Sequence, residues 1–111
     1  MTPDGTPADV VTLVNVFEVQ PDKLEWFLEG WRERARLMSE QPGFRSLRLL
    51  RALSAGARFQ FVNVAEWDSA DALEAATAHG EFQESAQRAV EDLGVIAHPG
   101  IYRVAIEVTT R

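Results

Sequence analysis

The run Phe61-Val62-Asn63-Val64-Ala65-Glu66-Trp67 sets an amide and an indole on one side of a segment that alternates as a strand does. Residues two apart share a strand face, so Phe59, Phe61, Asn63, Ala65 and Trp67 point the same way. An amide donates and accepts hydrogen bonds, and an indole N–H donates; such a set can hold a polar, oxygen-bearing molecule against an aromatic wall. No general base is obvious among them. Asparagine is depleted in strands, and burying its amide is costly unless it is partnered. Asn15 repeats the pattern inside Val10-Val11-Thr12-Leu13-Val14-Asn15-Val16-Phe17-Glu18-Val19, where Val11, Leu13, Asn15 and Phe17 share a face. Each asparagine alone is equally well explained by a bulge or a backbone group that it satisfies. Both together with Trp67 describe a site.

The chain that must position these groups has 111 residues, 46% hydrophobic and 25% charged, which is one ordinary globular domain. A net charge of -6 argues against nucleic acid and anionic membrane surfaces, which call for a basic footprint. With no cysteine and only His79 and His98, thiolate chemistry is excluded and a histidine-rich metal cluster cannot be assembled. Residues 1–9, polar and rich in proline and glycine, read as a flexible arm without the features of an export signal; residues 10–111 read as the single domain. No apolar run approaches the roughly 20 residues of a membrane helix, and a cytoplasmic location is the default expectation.

A first strand over 10–19 leads to Pro21-Asp22, suited to a helix start. Leu24, Phe27, Leu28, Trp31, Ala35 and Met38 then recur at helical spacing, with charged residues, Arg34 among them, assigned to the remaining faces. Gln41-Pro42-Gly43 ends this helix. A second strand over 44–53, with Leu47, Leu49 and Leu53 on one side, a turn at 54–57 and a third strand over 58–67 form a hairpin. Asp68-Ser69 caps a helix over 70–77, a further helical piece spans about 81–92, and a last strand is expected over 101–109 after Pro99-Gly100. The order β-α-β-β-α-β is ferredoxin-like, α+β with a four-stranded antiparallel sheet, and it makes the strands bearing Asn15 and Asn63 neighbours. Both helical layers cover one sheet face. The apolar character of the other suggests a dimer with two sheets face to face and a pocket on that inner surface.

Val14-Asn15-Val16-Phe17, Gln41-Pro42-Gly43-Phe44 and Phe61 to Trp67, in this order and spacing, resemble the antibiotic biosynthesis monooxygenase family, and within it the cofactor-independent anthrone oxygenases of aromatic polyketide pathways. The resemblance spans 10–108. It implies a dimeric α+β barrel that oxidises an electron-rich tricyclic anthrone to a quinone with molecular oxygen, without flavin, haem or metal. It assigns activity to Asn15 and Trp67, and places the family's other strand asparagine at Asn63. Phe17 and Phe61 would wall the substrate, Arg88 falls near the family's cavity-edge arginine, and Tyr102 is a strand residue that could line the pocket. One branch of the family carries a tyrosine where this chain has Leu73, which argues against a tyrosine-dependent mechanism.

Two other readings stay open. Haem-degrading members of the same superfamily share the first-strand asparagine, but the positions of their tryptophan and haem-ligating histidine fall near Ala76 and Ala86, with His79 close by. A dimer that only binds a small molecule would also satisfy the pattern, since the fold hosts many functions.

Overall fold

Two β-branched, alternating runs become the central strands of the sheet, β1 (Val11–Glu18) and β3 (Phe61–Trp67), in the computed structural model, which describes residues 9–110. Most of the expected N-terminal arm lies outside the described residues. A 3-10 turn over Pro21–Lys23 opens α1 (Leu24–Ser39), β2 (Phe44–Arg51) precedes β3, and α2 (Ala70–Thr77), α3 (Gly80–Leu93) and β4 (Ile96–Tyr102) follow. The sheet order is β2-β3-β1-β4 with every pairing antiparallel. This is the ferredoxin-like α+β arrangement. No helix among the described residues is long and apolar enough to cross a membrane.

The helices lie on the odd-numbered faces of β1 and β3. Phe17 and Phe61 meet Phe27 of α1 with ring centroids 5.1 and 4.9 Å apart, and Trp31 joins Phe17 at 5.5 Å. At the other end Val11, Ala65 and Trp67 pack with Met38, Leu73 and Ala76. Fully burying side chains of this size stabilises by about 1.5–3 kcal/mol each, and well-oriented aromatic pairs add about 0.5–1.5 kcal/mol. Buried apolar groups at both ends of the helical layer therefore clamp it to the sheet.

Local sequence sets the junctions. Ser69 caps α2, its Oγ accepting from the Ala72 N–H at 3.1 Å, as expected of serine at an N-cap. Gly43 has φ +86°, and its carbonyl accepts from the Asp68 N–H at 2.8 Å. A Cβ there would sit 2.5 Å from Ala72 Cβ. The Pro-Gly stop thus turns the chain through a left-handed conformation and lets α2 pack closely on the turn.

Several expected boundaries shift. The last strand is Ile96–Tyr102, not 101–109: Pro99 and Gly100 lie within β4, an edge strand, where a missing N–H can face solvent. Val104, Ile106 and Val108 follow outside the sheet and are exposed. β2 ends at Arg51 and Leu53 is fully exposed. A register shift between Phe44 and Ser46 places Phe44 and Leu47 on the same side despite their odd spacing, as a bulge does. Phe59 precedes β3 and packs edge-on against His98 at 5.5 Å, so it does not share the cluster of Phe61.

Gly43→Ala should destabilise the fold by about 2 kcal/mol or more, combining the left-handed backbone penalty with the clash on Ala72. Gly80→Ala, where nothing lies within 4 Å of the added carbon, should stay within about 0.5 kcal/mol of the parent. Urea unfolding of the two variants side by side checks this, and equal midpoints would contradict it.

Candidate functional site

The inner face of the sheet and the helices over it line a partly open cavity of about 770 Å³. Its floor follows a row across three strands, with Asn63 opposite Asn15 and Asn15 opposite Pro99; Leu49 of β2 continues the row opposite Asn63 but packs into the Phe61 cluster instead of lining the cavity. Directly opposed residues hold their Cβ atoms about 4.5–5.5 Å apart, so the two amides sit side by side. The small Ala65 separates Asn63 from Trp67 along β3 and contributes to the same floor. Phe44 braces the indole edge-on at 5.4 Å.

The oxygens of both amides and the nitrogen of the indole are buried without satisfaction. Asn15 Oδ1, Asn63 Oδ1 and Trp67 Nε1 have no hydrogen-bond partner among the described residues. An unmade bond of this kind costs about 1–3 kcal/mol, and native structures hold few of them. All three residues line one cavity. The bulge or backbone partner that could explain an isolated asparagine is not seen for either oxygen.

The roof is supplied mainly by Phe27, Trp31, Arg34 and Met38 of α1, Leu73 of α2 and Phe82 of α3. Arg34 is only 5% exposed, although its type suggested a solvated helix face. Its Nη1 donates to the carbonyl oxygen and the Oγ of Ser85, both at 3.3 Å, and its guanidinium lies 5.5 Å from the Phe27 ring and 5.3 Å from the Trp31 ring. Burial, and secondarily the charge of Arg88, pull its pKa down to about 10; the group still carries its proton at neutral pH. The signal that could have found it is spacing. Phe27, Trp31, Arg34 and Met38 follow i, i+4, i+7, i+11, the period of one helix face.

The cavity wall contains Asn15, Phe17, Asn63, Trp67 and Leu73. Three other residues expected at a pocket do not line it. Phe61 is fully buried behind the wall, stacked on Phe27. Arg88 is exposed on α3, beside Gln83, Glu84 and Gln87. Tyr102 lies on the opposite sheet face, 58% exposed, its ring folded over Gly100. His79 is exposed just before α3.

The expected pocket on the sheet face toward a partner is also corrected. The cavity lies between the sheet and the chain's own helices, because the amides and Trp67 share the odd-numbered face with Phe17 and Phe61, which pack on α1. The face turned away carries Val14 opposite Val64 and Val16 opposite Val62.

If Asn63 is held for binding rather than for folding, Asn63→Leu should leave the melting temperature unchanged or raised. It removes an unpartnered buried oxygen, and the cavity has room for the added methyl groups. A loss exceeding about 1 kcal/mol in thermal or urea unfolding would show that the amide serves the fold.

Comparison with known proteins follows the same lines. Residues 10–88 match the family described as antibiotic biosynthesis monooxygenase. Among solved structures, a Shewanella loihica PV-4 protein named as a monooxygenase is 35% identical, with a TM-score of 0.67 over 89% of this chain and 97% of its own. SnoaB, a cofactor-independent oxygenase from Streptomyces nogalater, is 30% identical, with a TM-score of 0.76 over 93% of this chain and 100% of its own. A Caulobacter crescentus protein named for the same family shares the fold at 16% identity and a TM-score of 0.75. No curated protein sequence matches. With its family match, its sheet order and a monooxygenase relative at 35% identity, the chain belongs to the antibiotic biosynthesis monooxygenase family.

Proposed function

We propose that this monooxygenase oxidises an anthrone-type aromatic polyketide to a quinone with molecular oxygen and no cofactor. The observation that carries the reading is the pair of buried, unpartnered amide oxygens, with the unpartnered Trp67 Nε1, on the floor of a cavity whose remaining lining is mainly apolar, Arg34, Glu74 and Thr77 apart. About 300–1,000 Å³ is the usual size of a pocket for a small organic ligand. The cavity volume falls in that range.

The stoichiometry needs no outside reductant. An anthrone methylene becomes a carbonyl: one atom of O2 enters the product, the other leaves as water with the two methylene hydrogens, and the substrate supplies all four electrons. Loss of the first methylene proton gives an enolate that can pass one electron to O2. Recombination of the radicals forms a carbon-bound peroxide, and elimination of water leaves the quinone. The step for a protein to favour is enolate formation. Preorganised donors aimed at the oxygen where charge develops act strongly in a water-poor site.

Asn15 and Asn63 have that role here, their amide N–H groups donating to the ring oxygen and their Oδ1 atoms accepting a phenol O–H or holding a water. Trp67 Nε1–H donates from the aromatic wall to an oxygen at the far side of the ring system. Phe17, Phe27 and Trp31 stack on the substrate and exclude bulk water. The likeness to SnoaB supports a reaction without cofactor at 30% identity. The haem alternative draws no support from His79, which is exposed and outside the cavity lining.

The functional unit in this reading is a homodimer. The sheet face away from the helices carries the half-buried Val14, Val16, Val62 and Val64, and exposed Leu50 continues it beside Val62. The segment after β4 exposes Val104, Ile106 and Val108 alternately with polar or small residues. Exposed apolar surface of this kind marks an interaction site. A second copy matches it in chemistry.

Aerobic incubation of metal-stripped protein with dithranol should consume one O2 per quinone formed. Asn15→Ala and Trp67→Phe should each lower kcat by about 10²-fold, the effect of losing one donor to a developing oxyanion. Tight binding of dithranol with no oxygen uptake would instead favour a binding protein, and unchanged turnover in both variants would sink the assigned roles. Sedimentation at micromolar concentration should show a dimer that Val14→Asp with Ile106→Asp dissociates. A wild-type monomer would contradict the assembly.

A further inference from the structure

Arg34 is not matched by any protein carboxylate. Almost fully buried charges are rare unless paired, yet no acidic side chain among the described residues forms an ion pair with it. The neighbouring Glu33, and Glu40 just beyond the helix, both bind Arg36 on the exposed face instead, at 2.6 and 3.1 Å. Arg34 hydrogen-bonds only the neutral Ser85, through one nitrogen, and the like charge of Arg88 acts against its protonated form. Its planar head lies beside the stacked rings of Phe27 and Trp31, which also line the cavity. The N–H groups on Nε and Nη2 donate to no acceptor among the described residues.

A guanidinium held in this way is a receptor for an anion. Its fork binds a carboxylate or another anionic oxygen through short, charge-assisted bonds, and the aromatic rings beside it suit an aromatic body attached to that oxygen. The low-dielectric surroundings that make the charge costly without a partner also strengthen its pairing with a ligand. Lysine would supply the charge without the planar fork.

We propose that Arg34 anchors an anionic oxygen of the aromatic substrate, a carboxylate or an ionised phenol, on the helical side of the cavity opposite the Asn15–Asn63 row. This rests on the reading of the cavity as the substrate site of the monooxygenase. Arg34 is then a specificity-determining residue: the ring system is selected for its charge by the roof and activated by the floor.

Binding of stable quinones tests this without turnover. Isothermal titration would compare anthraquinone-2-carboxylate, its neutral carboxamide, and 2-hydroxyanthraquinone above its ionisation pH, on the wild type, Arg34→Met and Arg34→Lys. The wild type should bind at least one anion about tenfold more tightly than the carboxamide. Arg34→Met should bind all three probes within about twofold of one another, and Arg34→Lys should keep part of the preference. Preference for the carboxylate identifies an acid, and preference for the ionised phenol alone identifies a phenolate. Circular dichroism and melting of each variant establish that it is folded; Arg34→Met, which removes a buried charge, should melt no lower than the wild type, and Arg34→Lys tests the charge independently if it does. Equal binding of anionic and neutral probes by the wild type, or an anion preference that survives in Arg34→Met, would overturn the proposal while leaving the oxygenase reading intact. Binding of none of the probes would overturn both.

Discussion

Asn15 and Asn63 stand side by side because Val11 pairs with Trp67 and Phe17 with Phe61, and this register of β1 against β3 governs the rest of the molecule. Side chains alternate with period two, so a slip of one residue in either strand would send its amide to the opposite face and bring valines inward. The same slip would remove Phe17 or Phe61 from Phe27 and Val11 or Trp67 from the cluster around Met38. Hydrophobic burial at the two ends of these strands therefore enforces the position of the polar groups in the middle. The amide oxygens, without partners, add no hydrogen bond to the register that places them.

That division of labour accounts for the distribution of packing. The sheet is sealed to its helices near Phe17–Phe27–Phe61 at one end and near Trp67–Leu73–Ala76 at the other, with the cavity between. Unpartnered amide and indole atoms each carry a penalty of about 1–3 kcal/mol. The stacked and edge-on aromatic contacts, at centroid distances of 4.9 to 6.0 Å, supply part of what offsets it. Arg34 adds a charge to the same interior on the helical side. Floor donors and a roof cation converging on one apolar space suit a flat substrate that becomes more anionic as it reacts.

Much of this was legible in the residues. Alternation in β1 and β3, the 3.6-residue stripe of α1 and the serine cap of α2 are local patterns with local causes, and they established the topology and the central amides. Three features depended on longer-range facts. Pro99-Gly100 reads as a chain break, and only its place at a sheet edge makes it a strand. Alternation says that Asn63 and Trp67 share a face without saying that this is the face under the helices. Arg34 has the type of a surface residue, and its burial follows from the i+7 relation to Phe27 together with the approach of Ser85 from a helix fifty-one positions further along the chain.

Side-chain NMR under anaerobic conditions tests the central claim most directly, because dithranol can then bind without being consumed. In 15N-labelled protein, the account predicts that the side-chain amide signals of Asn15 and Asn63 and the indole signal of Trp67 shift together with a single affinity, while backbone signals of Val14, Val16, Val62 and Val64 move little. Shifts centred on the backbone signals of those four valines, with the side-chain amide and indole signals unmoved, would contradict it.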